Sequence, residues 1–266
     1  MPEGHTVHRT ANDFNRLFAG DSLTVESPQG RFSASAKLVS GHRLVEASAI
    51  GKQMFLGFDN ELTIRIHLGI YGKWNYHSVG GAEVPEPVGQ VRARFSNSSA
   101  AADLRGPTVC EVISVEEVRA VERRLGPDPL NPNPGGVQSQ RFISRVRGSR
   151  TPIGLQLMNQ DVISGIGNVY RAEILFRAGI DPHTPGERLT VEQLQAIWDD
   201  SVALLKVGVA TGFMITRDEL FKKKPNKADR NSVYKREGLA CRQCGTNIAI
   251  ELMAARKLYW CPGCQK

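Results

Sequence analysis

The sequence predicts an α+β chain of several domains: a leading helix with a β-sandwich or flattened barrel, then a helical domain, then a small cysteine ribbon. Three observations carry this. Strand signals dominate from the end of one helix to about Val115. Helical periodicity takes over beyond a stretch rich in proline and glycine. Four cysteines at ribbon spacing close the chain.

The first helix is read from Val7, Ala11, Phe14 and Phe18, whose spacings of four, three and four make one apolar face, with Gly20 as its stop. Pro2 and Glu3 therefore stand at the N-terminus of a helix anchored in a core. Asp59-Asn60 reads as a turn between strands Met54–Phe58 and Leu62–Leu68. In the second strand Ile64, Ile66 and Leu68 alternate with Thr63, Arg65 and His67, so one face is buried. Cys110 lies in a strand-like stretch and reads as a core thiol. The run Gly-Pro-Asp-Pro-Leu-Asn-Pro-Asn-Pro-Gly-Gly at 126–136 cannot hold regular structure and marks a linker. Beyond it, Thr190 and Gln193 form a capping box before Leu194, Ile197, Trp198 and Leu205. The turn Ser164-Gly165-Ile166-Gly167 leads to Asn168, read as the N-cap of a helix over Val169–Ala178. The expected organisation is 1–125, linker 126–136, helical domain 137–235 and ribbon 236–266.

Cys241-x2-Cys244-x16-Cys261-x2-Cys264 brings four thiolates together at zinc-ribbon spacing. The expectation is one structural Zn2+, with no open coordination position and no chemistry of its own. Asn247–Met253 and Leu258–Trp260 read as the ribbon's strands. Arg256 and Lys257 are expected at the hairpin tip, where a basic residue can enter a groove.

Composition narrows the function classes. The 266 residues are 41% hydrophobic and 23% charged, an ordinary globular balance. No apolar run reaches the roughly 18 residues of a membrane helix, and no signal peptide is visible. A cytoplasmic, bacterial, nucleoid-associated protein is expected. The net charge is +7, and its placement is more informative than its size. Residues 217–266 hold 12 Lys and Arg against 5 Asp and Glu, whereas the first 216 balance at 22 against 22. The whole excess sits at one end, as suits a grip on a polyanion. Lys222-Lys223-Lys224 is either part of that grip or a solvated run. His5, His8 and His67 lack a carboxylate pattern and read as ordinary polar or core residues.

Four motifs occur in order: Pro2-Glu3-Gly4, Gly51-Lys52 after a strand, Gly165-x-Gly167-Asn168-x-Tyr170-x-x-Glu173, and the terminal ribbon ending Tyr259-Trp260-Cys261-Pro262-Gly263-Cys264-Gln265. Together they resemble the formamidopyrimidine-DNA glycosylase / endonuclease VIII family, over nearly the whole chain. The resemblance implies an N-terminal β-sandwich, a helix–two-turn–helix domain and a zinc finger. It implies damaged DNA as partner, a monomer, and no small-molecule cofactor. It also implies roles. Pro2, freed by removal of Met1, resembles the Schiff-base nucleophile, and Glu3 the proton donor at the sugar. Lys52 and Asn168 resemble ligands of the phosphates flanking the lesion. Arg256 resembles the finger arginine that engages the same backbone and assists the second elimination. Arg124 stands where relatives contact DNA. Ile70 and Tyr71 resemble the wedge that fills the place of the extruded base.

The chemistry suits these residue types. Attack on sugar C1′ needs an unprotonated amine, and an α-amine near 7.7–8.0 is closer to that than a lysine near 10.4. A secondary amine still forms an iminium, which withdraws electrons and permits elimination of the phosphates.

Against the family pattern, His5-Thr6 stands where many relatives have Pro-Glu, and Gly154 where relatives often carry a phosphate-binding lysine. The Arg-Arg-Phe-Gly strand motif of the formamidopyrimidine branch is absent; the nearest stretch is Leu104-Arg105-Gly106-Pro107. The expectation is therefore a bifunctional glycosylase and abasic-site lyase of the endonuclease VIII type, favouring oxidised pyrimidines and cutting the strand by β,δ-elimination. Two alternatives stay open: an oxidised-purine glycosylase, and a DNA-binding module without catalysis.

Overall fold

The computed structural model describes residues 2–78 and 85–266. These form two compact units, Met1–Arg124 and Leu125–Lys266.

The first unit opens with α1 (Gly4–Phe18), whose Val7, Ala11, Phe14 and Phe18 are all buried as the periodicity requires. Two antiparallel four-stranded sheets follow. One has the order β1 (Thr24–Glu26), β6 (Ala93–Ser96), β7 (Ala100–Arg105), β5 (Lys73–Ser78). The other runs β2 (Leu44–Ile50), β3 (Gln53–Phe58), β4 (Thr63–His67), β8 (Val109–Ile113). One apolar cluster lines the sandwich; Phe14 packs at 5.6 Å on Phe95 and at 4.7 Å on Trp74. The strands around Asp59-Asn60 pair with Leu56 opposite Ile64 and Met54 opposite Ile66, placing the alternating face inward. Cys110 pairs with Ile66 and packs against this core, where burial pushes its thiol up to about 12.

Helix α2 (Ser33–Val39) interrupts the stretch expected to be all strand. Only Ala36 and Val39 are buried in it, and two anchors in seven residues leave no readable period. Helix α3 (Val115–Arg124) ends the unit.

The second unit contains α4 (Val137–Arg147), α5 (Ile153–Gln156), α6 (Asn168–Arg177), α7 (Val191–Thr211) and the hairpin β9 (Ala249–Met253), β10 (Arg256–Trp260). The segment 126–136 holds only the short 3-10 turn Pro134–Gly136, and its first residues are buried within the unit. The capping box of α7 is formed: Gln193 N–H donates to the Thr190 hydroxyl at 3.2 Å, and the Thr190 N–H donates to Gln193 Oε1 at 2.9 Å. Helix α6 is the axis of the unit, with Asn168 through Phe176 buried without a break. One side joins the helical core with Ile166 and Trp198; the other joins a cluster of Phe176, Val233, Ile248, Tyr259 and two cysteines. No helix among the described residues is long and apolar enough to cross a membrane.

Candidate functional site

In the first unit the chain enters α1 through an extended Glu3, which is fully buried, while Pro2 remains half-buried. No acidic residue lies in the first turn of α1; the acid at this end of the helix is the N-cap, Glu3, next to Pro2. His5 is 3% exposed, and burial, then the N-terminal amine and Arg9, push its imidazole down to about 4. It is neutral at physiological pH, and its Nε2 lies 3.2 Å from the Thr6 hydroxyl.

Lys52 stands in the two-residue turn between β2 and β3, since Ile50 pairs with Gln53. Gly51 takes φ 60°, the left-handed conformation such a turn needs at its first position. His67 Nδ1 donates to the Lys52 carbonyl at 2.9 Å and ties the turn to β4. After β4, the loop Leu68–Gly72 closes on a Gly72 N–H to Leu68 carbonyl bond of 2.9 Å. Its two bulky residues project outward: Ile70 is 63% and Tyr71 84% exposed. Gly69 is required here, because a Cβ would sit 1.9 Å from the Thr108 hydroxyl. Arg124 is exposed at the end of α3. Arg105 is engaged elsewhere: it donates to the Val88 carbonyl and lies 3.4 Å from Asp103, which Arg94 holds at 2.7 and 3.0 Å.

In the second unit Asn168 is not an N-cap. It is the first helical residue, Gly167 is the cap, and the Asn168 side chain makes no capping bond. Instead its Nδ2 donates to the Lys257 carbonyl at 2.8 Å, and its Oδ1 accepts from Arg171 Nη2. Arg171 is fully buried and also donates to the Lys257 carbonyl at 3.1 Å. Arg256, beside Lys257, is exposed. The hairpin tip is not Arg256-Lys257 but Ala254-Ala255, with φ 48° and 60°; Arg256 is the first paired residue after it, opposite Met253. Two alanines carry no signature of a φ > 0 turn, which explains the two-residue error in reading the tip.

The sulfurs of Cys241, Cys244, Cys261 and Cys264 all lie within 4.8 Å of one another, two pairs at 3.5 and 3.8 Å. A tetrahedron with metal–sulfur bonds of about 2.3 Å puts sulfurs about 3.8 Å apart, so the four residues fit a metal ion. Within the cluster, bonds from Thr246 lower the Cys244 thiol, while burial and the neighbouring sulfurs raise those of Cys261 and Cys264, so one thiol of the group gives up its proton first. No other metal-like group occurs among the described residues, and His5, His8 and His67 form none.

Comparison with known proteins places this arrangement. The formamidopyrimidine-DNA glycosylase N-terminal domain matches residues 1–110, and the formamidopyrimidine-DNA glycosylase H2TH domain matches residues 125–219. Endonuclease 8 1 of Mycobacterium tuberculosis is 45% identical over 274 residues, covering all of both chains. The chain belongs to the formamidopyrimidine-DNA glycosylase family. Endonuclease 8 of Escherichia coli is 29% identical, again over all of both chains. Among solved structures, Lactococcus lactis Fpg in complex with abasic-site DNA shares the fold at TM-score 0.80 and 20% identity, over 99% of each chain. MutM in complex with DNA containing carbocyclic 8-oxo-G does so at 0.81 and 20%, over 100% of each.

Within this formamidopyrimidine-DNA glycosylase fold, two residues escaped the sequence reading of the site. Arg171 reads there as one more polar position on a helix; its burial and its three acceptors are tertiary. Glu173 was visible only as a motif letter. It is fully buried and accepts backbone N–H bonds from Ser232, Val233 and Tyr234 at 2.7–2.8 Å, plus the Thr216 hydroxyl at 2.6 Å. One carboxylate thus gathers the segment entering the cysteine ribbon onto α6. A helical carboxylate at a wholly buried position is the signal that a burial estimate could have caught.

Proposed function

We propose that this chain is a base-excision DNA glycosylase and abasic-site lyase of the endonuclease 8 type, with the Pro2 amine as nucleophile and oxidised pyrimidines as preferred substrates. The enzyme class follows from family membership. The observation that carries the mechanism is Pro2 at the positive end of α1, flanked by buried Glu3 and a neutral His5. The positive end of a helix disfavours a further positive charge beside it.

After removal of Met1, the free amine of Pro2 attacks C1′ of an extruded nucleotide. The C1′–N bond to the base breaks and the base leaves with a proton. Glu3 supplies the proton that opens the sugar ring. The resulting iminium acidifies C2′: loss of that proton expels the 3′ phosphate, and a second elimination expels the 5′ phosphate. Water then releases the sugar remnant and restores the amine. Lys52 and Asn168 hold the flanking phosphates, Arg256 reaches the same backbone from the finger, and Arg124 adds a contact. Ile70 and Tyr71, exposed at a loop tip, fill the vacated place in the duplex.

The four cysteines hold one structural Zn2+, whose role is to keep the finger folded. The protein acts as a monomer on damaged DNA in the bacterial cytoplasm, associated with the nucleoid. The test is borohydride trapping on an oligonucleotide with an oxidised pyrimidine, followed by peptide mapping. The expected adduct is on Pro2 and disappears when Met1 is retained. An adduct mapped to Lys52 would overturn the assignment.

A further inference from the structure

Burial along β9 changes at its last residue. Ile250, Glu251 and Leu252 are exposed, Leu252 by 73%, whereas Met253 is only 9% exposed. Met253 immediately precedes the Ala254-Ala255 turn and is the cross-strand partner of Arg256. Its side chain is seated over Gly154. A Cβ built at Gly154 would lie 2.9 Å from Met253 Sδ, 2.9 Å from the Pro182 carbonyl and 3.1 Å from Pro182 Cβ. No side chain at 154 is compatible with the thioether where it stands. The Gly154 amide donates to Pro182 at 2.9 Å, and its carbonyl accepts from Arg171 at 3.4 Å, the same guanidinium that holds Asn168 and Lys257.

The cysteines cannot position the tip by themselves. Cys261 follows Trp260 at the far end of β10, and the Trp260–Ala249 pair lies four residues from the Arg256–Met253 pair. At the usual rise this is roughly 13 Å. An isolated two-stranded hairpin is marginal, and a turn of two alanines at positive φ weakens it further. Met253 is the tip residue with an apolar anchor, and that anchor needs residue 154 to have no side chain.

We infer that Met253 is a positioning residue of the finger: seated over Gly154, it holds the turn side of its cross-strand partner Arg256, while the Asn168 and Arg171 bonds to Lys257 hold the other side. This rests on the reading of Arg256 proposed above.

The experiment uses the zinc-loaded full chain on an abasic-site duplex and reads three quantities: zinc per chain, borohydride trapping at Pro2, and the rate of the second elimination. Met253→Ala should keep its zinc and trap within about twofold of wild type. Its second elimination should slow on the order of tenfold, since displacements near 1 Å carry effects of that size or larger. Met253→Leu should restore the rate, and Leu252→Ala, on the exposed face, should leave it unchanged. If Met253→Ala loses zinc, Met253→Val carries the comparison. A wild-type rate of second elimination in the zinc-loaded truncation overturns this inference alone. Absence of trapping in the wild type overturns the proposed function, and this inference with it.

Discussion

The Asn168 side chain donates to the Lys257 carbonyl across 2.8 Å, joining the first residue of α6 to the finger strand that carries Arg256. Arg171 braces both partners from within the core.

Arg171→Ala should therefore destabilise the second unit by about 2–4 kcal/mol, through a cavity and a buried Asn168 oxygen without its donor. Arg171→Lys should not rescue it, because one ammonium cannot reproduce a planar fork serving three acceptors. Urea unfolding followed by Trp fluorescence measures both. Equal midpoints for wild type and Arg171→Lys would contradict the bracing role.

A second prediction concerns acid stability. His5 falls to about 4 in the folded chain, below its ordinary 6.5. The unfolded chain then binds the proton more tightly. Stability from this group is complete above pH 6.5 and is lost as pH falls toward 4, by about 3 kcal/mol in all. His5→Gln should lose less between pH 7 and 4.5 than wild type does. Parallel loss in the two proteins would show that His5 does not set this window.

Metal removal should act locally. One zinc per chain is expected, and a chelator or Cys244→Ser should abolish DNA binding. Apparent binding energies of such sites run to about 10–16 kcal/mol, ample to hold a small ribbon. The sandwich core, built within Met1–Arg124, should keep its cooperative unfolding. Full DNA binding by Cys244→Ser would be the contrary result.

Grip on DNA should weaken steeply with salt, by roughly 0.9 log units per log salt for each phosphate neutralised. Arg256→Ala should lower that slope by about one unit, uniformly across sequences. An unchanged slope means that Arg256 does not reach the backbone.

Lesion choice should show little dependence on the opposite base. Reading a base edge takes a directed donor or acceptor, such as an arginine on guanine or a carboxylate on cytosine. The exposed loop offers Ile70 and Tyr71, and Arg105 in the Leu104-Arg105-Gly106-Pro107 stretch is held by Val88 and Asp103. Single-turnover rates on matched duplexes should rank hydroxylated uracil and thymine glycol above oxoguanine. Faster oxoguanine excision, confined to pairs with cytosine, would place the chain in the other branch.

Much of this was legible in the sequence, for identifiable reasons. The apolar face of α1, the alternation in β4 and the capping box of α7 depend on neighbours within a few residues, and all three stand as read. The cysteine spacing predicted the cluster because a tetrahedron constrains four ligands whatever surrounds them. Helix α2 was not legible, since two buried positions set no period.

What only the tertiary structure decided is how distant segments complete one another. Asn168 reads as a cap because asparagine caps helices, yet its amide goes to residue 257. Gly154 reads as a missing lysine, yet it is the socket for Met253. His5 reads as an ordinary polar or core histidine and is indeed buried, but that burial lowers its proton affinity is decided by the tertiary structure. Local patterns encode periodicity and metal spacing, whose physics is short-range along the chain. Burial, hydrogen-bond partners and proton affinity depend on which remote atoms replace water, and that is settled only when the chain closes on itself.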